Sequence, residues 1–186
     1  MSHQDPDTLK TAAADLLRQI ENQNQPLTPK ARMAIPPQAM PSQDPAVRRG
    51  NMSEVALGYS PEQARLEAMR CLQCKNAPCV AGCPVGIRIP DFLKAAAAGR
   101  FDEAVAIIRE NSLLPAVCGR VCPQEVQCQA PCTLGKALKD VDKAVAIGRI
   151  ERFVSDLERE SGKQAVPAVK PPTGKRVAVV GSGPAG

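Results

Sequence analysis

The stretch Cys71-Leu-Gln-Cys74-Lys-Asn-Ala-Pro-Cys79-Val-Ala-Gly-Cys83-Pro84 decides the fold class, because it places four thiols close together in the chain. A second group of four has the spacing Cys118-x3-Cys122-Pro123-x4-Cys128-x3-Cys132. Iron–sulfur clusters need several thiolates that converge from compact loops, and a proline after a cysteine helps to turn the chain away. The two groups therefore predict two [4Fe–4S] clusters.

Structural zinc and disulfide bonds are the alternatives. Zinc sites commonly pair two Cys-x-x-Cys knuckles across a longer gap, and only Cys71 and Cys74 have that spacing. The sequence has no signal-peptide core and no apolar run long enough to span a membrane. We therefore expect a cytoplasmic protein without a membrane partner, in which clustered cysteines favour metal over disulfides.

The composition argues against several other classes of protein. The chain has 186 residues with 8 Cys but only one His, and that residue, His3, lies in a polar amino-terminal tail. Catalytic triads, common zinc enzymes and Rieske centres all need placed imidazoles. The net charge is +5, the basic residues are scattered, and only 3 Phe and 1 Tyr supply aromatic rings. A nucleic-acid partner is therefore not expected.

The pattern of residues predicts an all-α domain between residues 51 and 162, preceded by an amino-terminal helix and a Pro-rich arm in residues 1–50. Six prolines between residues 26 and 50 argue against regular helix there, so we expect an extended arm that crosses a partner or a solvated linker. Ser60-Pro61-Glu62-Gln63 has the form of a capping box and predicts a helix start. Further helices are expected at 8–21, 91–98, 101–110 and 141–160, the last stopped by Gly162.

The carboxyl-terminal residues predict the start of a second domain. After a linker at 163–175, the apolar run Arg176–Val180 leads into a G-x-G-x-x-G pattern formed by Gly181, Gly183 and Gly186. A buried strand followed by this turn is typical of a Rossmann FAD- or NAD(P)-binding domain, in which the glycines allow close approach to a pyrophosphate. Residues 176–186 would supply only its first strand and turn, so the nucleotide site is incomplete.

Three segments carry a resemblance to a known family. Residues 51–83, Cys118-Gly-Arg-Val-Cys-Pro123 and Val145-Ala-Ile-Gly-Arg-Ile-Glu-Arg-Phe153 resemble the amino-terminal domain of the glutamate synthase small (β) subunit family. Similar domains occur in the large subunit of NADH-dependent reduced ferredoxin:NADP oxidoreductase and in dihydropyrimidine dehydrogenase. The resemblance covers about residues 45–186 and implies an alpha-helical ferredoxin-like fold.

The resemblance also implies crossed ligation of two clusters, with one ligand that is not cysteine. The first cluster would bind Cys71, Cys74, Cys79 and Cys132, and the second would bind Cys83, Cys122, Cys128 and Glu151. Cys118 would then be unligated. Independently of the family, Glu151 borders the predicted apolar stripe of the late helix, where an unpaired carboxylate is costly. The alternative is a glutamate at the helix edge that is solvated or paired with a nearby arginine.

The function implied by the resemblance is electron transfer within a larger oxidoreductase. NADPH would reduce FAD, and electrons would pass through the clusters to a large catalytic subunit or another redox partner protein. A different NAD(P)-dependent flavoprotein, of the ferredoxin:NADP or pyrimidine or sulfide oxidoreductase type, is one alternative, and a zinc-stabilised helical docking module is another. Because the sequence contains no general base and no complete nucleotide site, the chain alone is not expected to be catalytic.

Overall fold

The structure is a computed structural model that describes residues 5–162 and 171–183. Within these ranges the chain forms α-helices and 3₁₀ turns and no strand, so the prediction of a helical protein is confirmed there. The helices are α1 (Pro6–Asn22), α2 (Pro29–Ala34), α3 (Pro45–Arg48), α4 (Pro61–Met69), α5 (Pro78–Ala81), α6 (Ile89–Ala97), α7 (Phe101–Arg109), α8 (Pro115–Val121), α9 (Thr133–Ala137) and α10 (Ile147–Ser161). The 3₁₀ turns are Gln124–Val126 and Val141–Lys143.

The start of α4 has the capping box that its sequence predicts. The Ser60 hydroxyl accepts a hydrogen bond from the backbone N–H of Gln63 at 3.3 Å, and the Gln63 carboxamide oxygen accepts from the backbone N–H of Ser60 at 3.1 Å. Each bond satisfies a backbone donor near the start of the helix. Gln63 also donates to the carbonyl of Ala39 at 3.0 Å, so the same side chain ties α4 to the preceding arm.

The Pro-rich arm differs from the extended segment that we expected, because two of its prolines begin short helices. Pro29 and Pro45 are the first residues of α2 and α3, which are capped by the side chains of Thr28 and Asp44. Proline is compatible with the first helical turn, where its missing N–H would have no partner within the helix. The arm also packs on the domain, since Ile35 is buried against α1 and α4.

The late helix begins six residues after the predicted position, at Ile147 instead of residue 141. Before it, the Arg70 guanidinium donates to the carbonyls of Lys143 and Ala144, and a Glu67 carboxylate oxygen accepts from the backbone N–H of Ala146. These long-range bonds hold the segment away from helical geometry. The helix ends as predicted, with Gly162 in the left-handed conformation at φ +67°.

The core lies between α4, α6, α7 and α10. It contains Phe92, Leu93, Ile108, Ile150 and Val154, each at most 1% exposed. The helix α8 crosses α10 at very short range through Gly119, where an added Cβ would lie 2.8 Å from the carbonyl oxygen of Gly148. This close crossing brings the second cysteine group next to α10.

The expected Rossmann strand is not formed in the described part of the chain. Residues 176–180 have no regular secondary structure, and the side chains of Val177 and Val180 are 84% and 96% exposed. A strand needs a neighbouring strand for its backbone hydrogen bonds, and the described residues contain none. Gly181 and Gly183 are exposed, while Gly186 and most of the predicted linker lie outside the described residues.

Candidate metal centre

The four cysteines expected at the first site line one cavity. Cys71 and Cys74 follow the end of α4, Cys79 lies in α5, and Cys132 directly precedes α9. Their neighbours around the cavity are largely apolar, including Ile89, Leu93, Leu134, Val145 and Ile147. The cavity encloses about 350 Å³ of space without protein atoms, part of it open to solvent. The structure therefore brings Cys132 from the second sequence group to the first group, as the crossed pattern requires.

Burial and mutual proximity favour the protonated form of the thiols at this site. The pKa of Cys71 is raised to about 11 and that of Cys79 to about 12, and burial is the largest cause of both shifts. The neighbouring thiols of Cys132 and Cys74 contribute smaller parts of these shifts, because like charges would repel. Metal binding at such a site releases thiol protons and removes this electrostatic cost.

The second site combines three thiols with a carboxylate. The pKa of Cys128 is raised to about 12, mainly by burial and to a smaller extent by the nearby Cys83 thiol and Glu151 carboxylate. The pKa of Cys122 is also raised, first by burial, then by Cys118, and then by Glu151 and Cys83. Cys83 and Glu151 therefore each lie within electrostatic reach of both Cys122 and Cys128.

Glu151 has the properties of a carboxylate that lacks its partner. The residue is 7% exposed, and its Oε1 atom is buried without a hydrogen-bond partner among the described residues. Burial alone raises the pKa of the carboxyl from 4.5 to about 7. Two other buried glutamates are paired: Glu67 binds Arg70, and Glu158 binds Arg109 at 2.6 Å. In the part of the chain that the structure describes, no arginine forms an ion pair with Glu151, unlike these two glutamates.

Cys118 also lies at the second site, although the ligand set leaves it out. It lies in α8, four residues before Cys122, which directly follows the end of that helix. Its thiol is close enough to raise the pKa of Cys122, after the larger effect of burial. The Ser112 hydroxyl donates a long hydrogen bond to Cys118 Sγ at 3.9 Å. The geometry thus brings three cysteines of the second group, Cys118, Cys122 and Cys128, into one region with Glu151.

Two residues beside the first site were not singled out by the sequence. Gln73 donates its side-chain amide to Cys71 Sγ at 3.3 Å and to the carbonyl of Pro90 at 3.0 Å. Arg32, in α2, donates to the carbonyls of Met69 and Cys71 at 2.8 and 3.1 Å. No local sequence pattern predicts the contacts of either residue. The contact of Gln73 requires a left-handed backbone, and that of Arg32 joins residues more than thirty positions apart.

The residues present fit clusters in their donor chemistry. At the first site four thiols line a largely apolar cavity. At the second site the buried Glu151 Oε1, which has no hydrogen-bond partner among the described residues, belongs to a carboxylate beside the thiols. In residues 5–162 and 171–183, no three or more His, Cys, Asp or Glu side chains form a group that could hold one metal ion. The cysteines of a cluster bind separate iron atoms, whereas the ligands of one zinc ion each lie about 2.3 Å from it. No helix within these ranges is long and apolar enough to cross a membrane.

Cysteine-rich loops held by short helices, with two groups of thiols, define a helical iron–sulfur domain. The sequence matches the family described as dihydropyrimidine dehydrogenase domain II, 4Fe-4S cluster, over residues 48–163. The chain belongs to this family of 4Fe–4S domains, which confirms the resemblance seen in its motifs.

The similar curated proteins are oxidoreductases or their subunits. The NADPH glutamate synthase small chain of Escherichia coli K12 is 41% identical over 140 residues, which is 75% of this chain and 29% of that protein. The NAD-dependent dihydropyrimidine dehydrogenase subunit PreT homolog of Salmonella typhi is 39% identical over 135 residues, 73% of this chain and 32% of that protein. The putative oxidoreductase UacF of E. coli K12 is 38% identical over 140 residues, 75% of this chain and 21% of that protein. The chain thus spans less than a third of these relatives.

Proposed function

We propose that this chain holds two [4Fe–4S] clusters and carries electrons through them between a flavin and a partner protein. The ligands of the first cluster are Cys71, Cys74, Cys79 and Cys132, and those of the second are Cys83, Cys122, Cys128 and Glu151. When bound, the clusters supply one-electron transfer. The protein contributes the ligands, an apolar surrounding at the first site, and short helices that hold the loops in place.

The observation that carries this proposal is the unpartnered Glu151 oxygen beside the thiols of the second site. A buried carboxylate without a hydrogen bond is costly, so it is expected where a bound group such as an iron atom would satisfy it. Oxygen is also a harder donor than thiolate, so a carboxylate ligand gives the second cluster a different electronic environment from the first.

In the proposed reaction, NADPH reduces FAD, and the clusters carry the electrons to a large subunit that makes glutamate from 2-oxoglutarate and glutamine. The names of the similar glutamate synthase small chains support this assignment. A longer protein that contains this chain, combined with such a large subunit, should oxidise NADPH only when glutamine and 2-oxoglutarate are both present. NAD(P)H oxidation that depends instead on a pyrimidine would identify the pyrimidine oxidoreductase alternative, which the name of the similar dihydropyrimidine dehydrogenase subunit supports.

Anaerobic purification of the chain tests the clusters themselves. We expect a brown protein with broad absorbance near about 400 nm that bleaches when dithionite is added, as thiolate-bound iron–sulfur clusters do. A colourless protein with stoichiometric zinc would contradict the proposal and support a zinc-stabilised docking module. A parallel aerobic preparation controls for oxidative loss of iron, because only the anaerobic sample decides the outcome.

A further inference from the structure

Gln73 lies between two cysteines of the first site in an unusual backbone conformation. Its φ is +53°, in the left-handed region that residues other than glycine, asparagine and aspartate rarely adopt. Residues held in such conformations cluster at functional sites, where the surrounding structure stabilises them. From this left-handed backbone the side chain of Gln73 reaches the sulfur of Cys71.

The side-chain amide of Gln73 joins the first site to α6. Nε2 lies 3.3 Å from Cys71 Sγ and 3.0 Å from the carbonyl oxygen of Pro90 in the first turn of that helix. Because a carbonyl oxygen can only accept, the nitrogen of the carboxamide must face this pair of atoms. One amide hydrogen of Gln73 is therefore directed at the Pro90 carbonyl oxygen and the other at Cys71 Sγ. The bond to Pro90 thus holds the Gln73 amide in the orientation in which it donates to Cys71.

A cation lies beside the same loop. The Arg32 guanidinium donates to the carbonyl of Cys71 at 3.1 Å. The surroundings of Cys71 thus combine a side-chain donor to its sulfur with a positive charge at its backbone carbonyl.

We propose that Gln73 is a positioning residue that raises the reduction potential of the cluster at the first site by donating a hydrogen bond to the sulfur of Cys71. This inference rests on the proposed function. Reduction adds one electron from an external donor, and the added negative charge is shared with the ligand sulfurs. A hydrogen bond to that sulfur stabilises the reduced form more than the oxidised form, because donors bind more strongly to the more negative acceptor.

Redox titration of the anaerobically assembled chain, followed by electron paramagnetic resonance, tests the inference. Gln73→Leu removes the amide donor and keeps a side chain that is unbranched at Cβ. Gln73→Glu keeps the length of the side chain but puts an acceptor in the place of the donor. For Gln73→Leu we expect the equilibrium constant for reduction to fall about tenfold, which equals about 59 mV for a one-electron couple. Gln73→Glu should lower the equilibrium constant for reduction further.

The second cluster in the same chain is the internal reference, and its potential should not move. A matched control is Gln129→Leu, since that amide donates at 3.1 Å to the carbonyl of Val145 and not to sulfur. Unchanged potentials in both Gln73 variants, or loss of half the iron in both, would overturn the inference. A wild-type chain without iron would contradict the proposed function itself, so the two failures are distinguishable.

Discussion

A Cβ atom placed on Gly119 would lie 2.6 Å from the backbone nitrogen of Arg152. This contact between α8 and α10 is backbone against backbone, so it cannot be relieved by rotating a side chain. It is also the contact that positions the second site, because Cys122 lies one turn after Gly119 and Glu151 immediately precedes Arg152. The two glycines at the crossing, Gly119 and Gly148, are further joined by the Gln124 carboxamide, which donates to the first and accepts from the second.

Gly119→Ala should therefore separate the two helices and weaken the second site. We expect a loss of about 1–3 kcal/mol in the free energy of unfolding, the usual cost of overpacking, together with reduced iron content. Denaturant unfolding and iron analysis of the assembled protein measure the two effects. Gly50→Ala is the matched control, since its added Cβ would contact only the Val47 carbonyl oxygen at 3.5 Å. Equal stability of the two variants would show that the crossing tolerates a side chain.

Glu151→Ala should remove the second cluster and leave the first. Its loss takes away a ligand, and the three remaining thiols of the second site cannot complete four-iron coordination. Iron per chain should fall from about eight toward about four, with the resonance of only one reduced cluster remaining. Glu160→Ala, an exposed glutamate on the same helix, should keep both clusters. An unchanged iron content and spectrum in Glu151→Ala would assign the fourth ligand to another residue.

The buried pair of Glu67 and Arg70 holds the segment before α10 and should behave as a unit. Both side chains are at most 1% exposed, and Arg70 also donates to the carbonyl of Ile35 at 3.1 Å. Arg70→Met leaves a buried carboxylate without its cation and should cost about 3–5 kcal/mol. The double variant Glu67→Met/Arg70→Met should cost less than the sum of the two single changes. Additive losses in denaturant unfolding would mean that the two charges are not coupled.

Ser60→Ala should cost about 1 kcal/mol, the typical value for a lost N-cap. The substitution leaves the backbone N–H of Gln63 without the hydroxyl that accepts from it. The midpoint of denaturant unfolding should shift without a change in iron content, because α4 ends before Cys71. Ser53→Ala, at an exposed serine, is the control and should leave the midpoint unchanged. A midpoint for Ser60→Ala equal to that of the control would show that the capping box does not stabilise α4.

The sequence predicted those features that depend on neighbouring residues. The capping box at Ser60 needs only residues three positions apart, and Gly162 ends α10 because its own backbone adopts a positive φ. The placement of Glu151 beside the apolar stripe also follows from helical periodicity, and the structure buries it. Its role as a cluster ligand stays a prediction.

Features that depend on distant contacts could not be predicted in this way. The true start of α10 is determined by Glu67 and Arg70, which lie more than seventy residues earlier in the chain. The packing of the Pro-rich arm is likewise determined by its contacts with α1 and α4, which no local pattern contains. The hydrogen bond from Gln73 to Cys71 needs a left-handed residue that its sequence does not favour.

The central claim is that two clusters are held by seven cysteines and Glu151, with Cys118 left over. The most direct measurement is the iron and acid-labile sulfide content of Cys118→Ser, within α8, and Cys122→Ser, just after its end, assembled anaerobically in parallel. The account predicts about eight irons per chain for Cys118→Ser and about four for Cys122→Ser, whose second cluster loses a ligand. Loss of a whole cluster in Cys118→Ser, with Cys122→Ser retaining both, would contradict it.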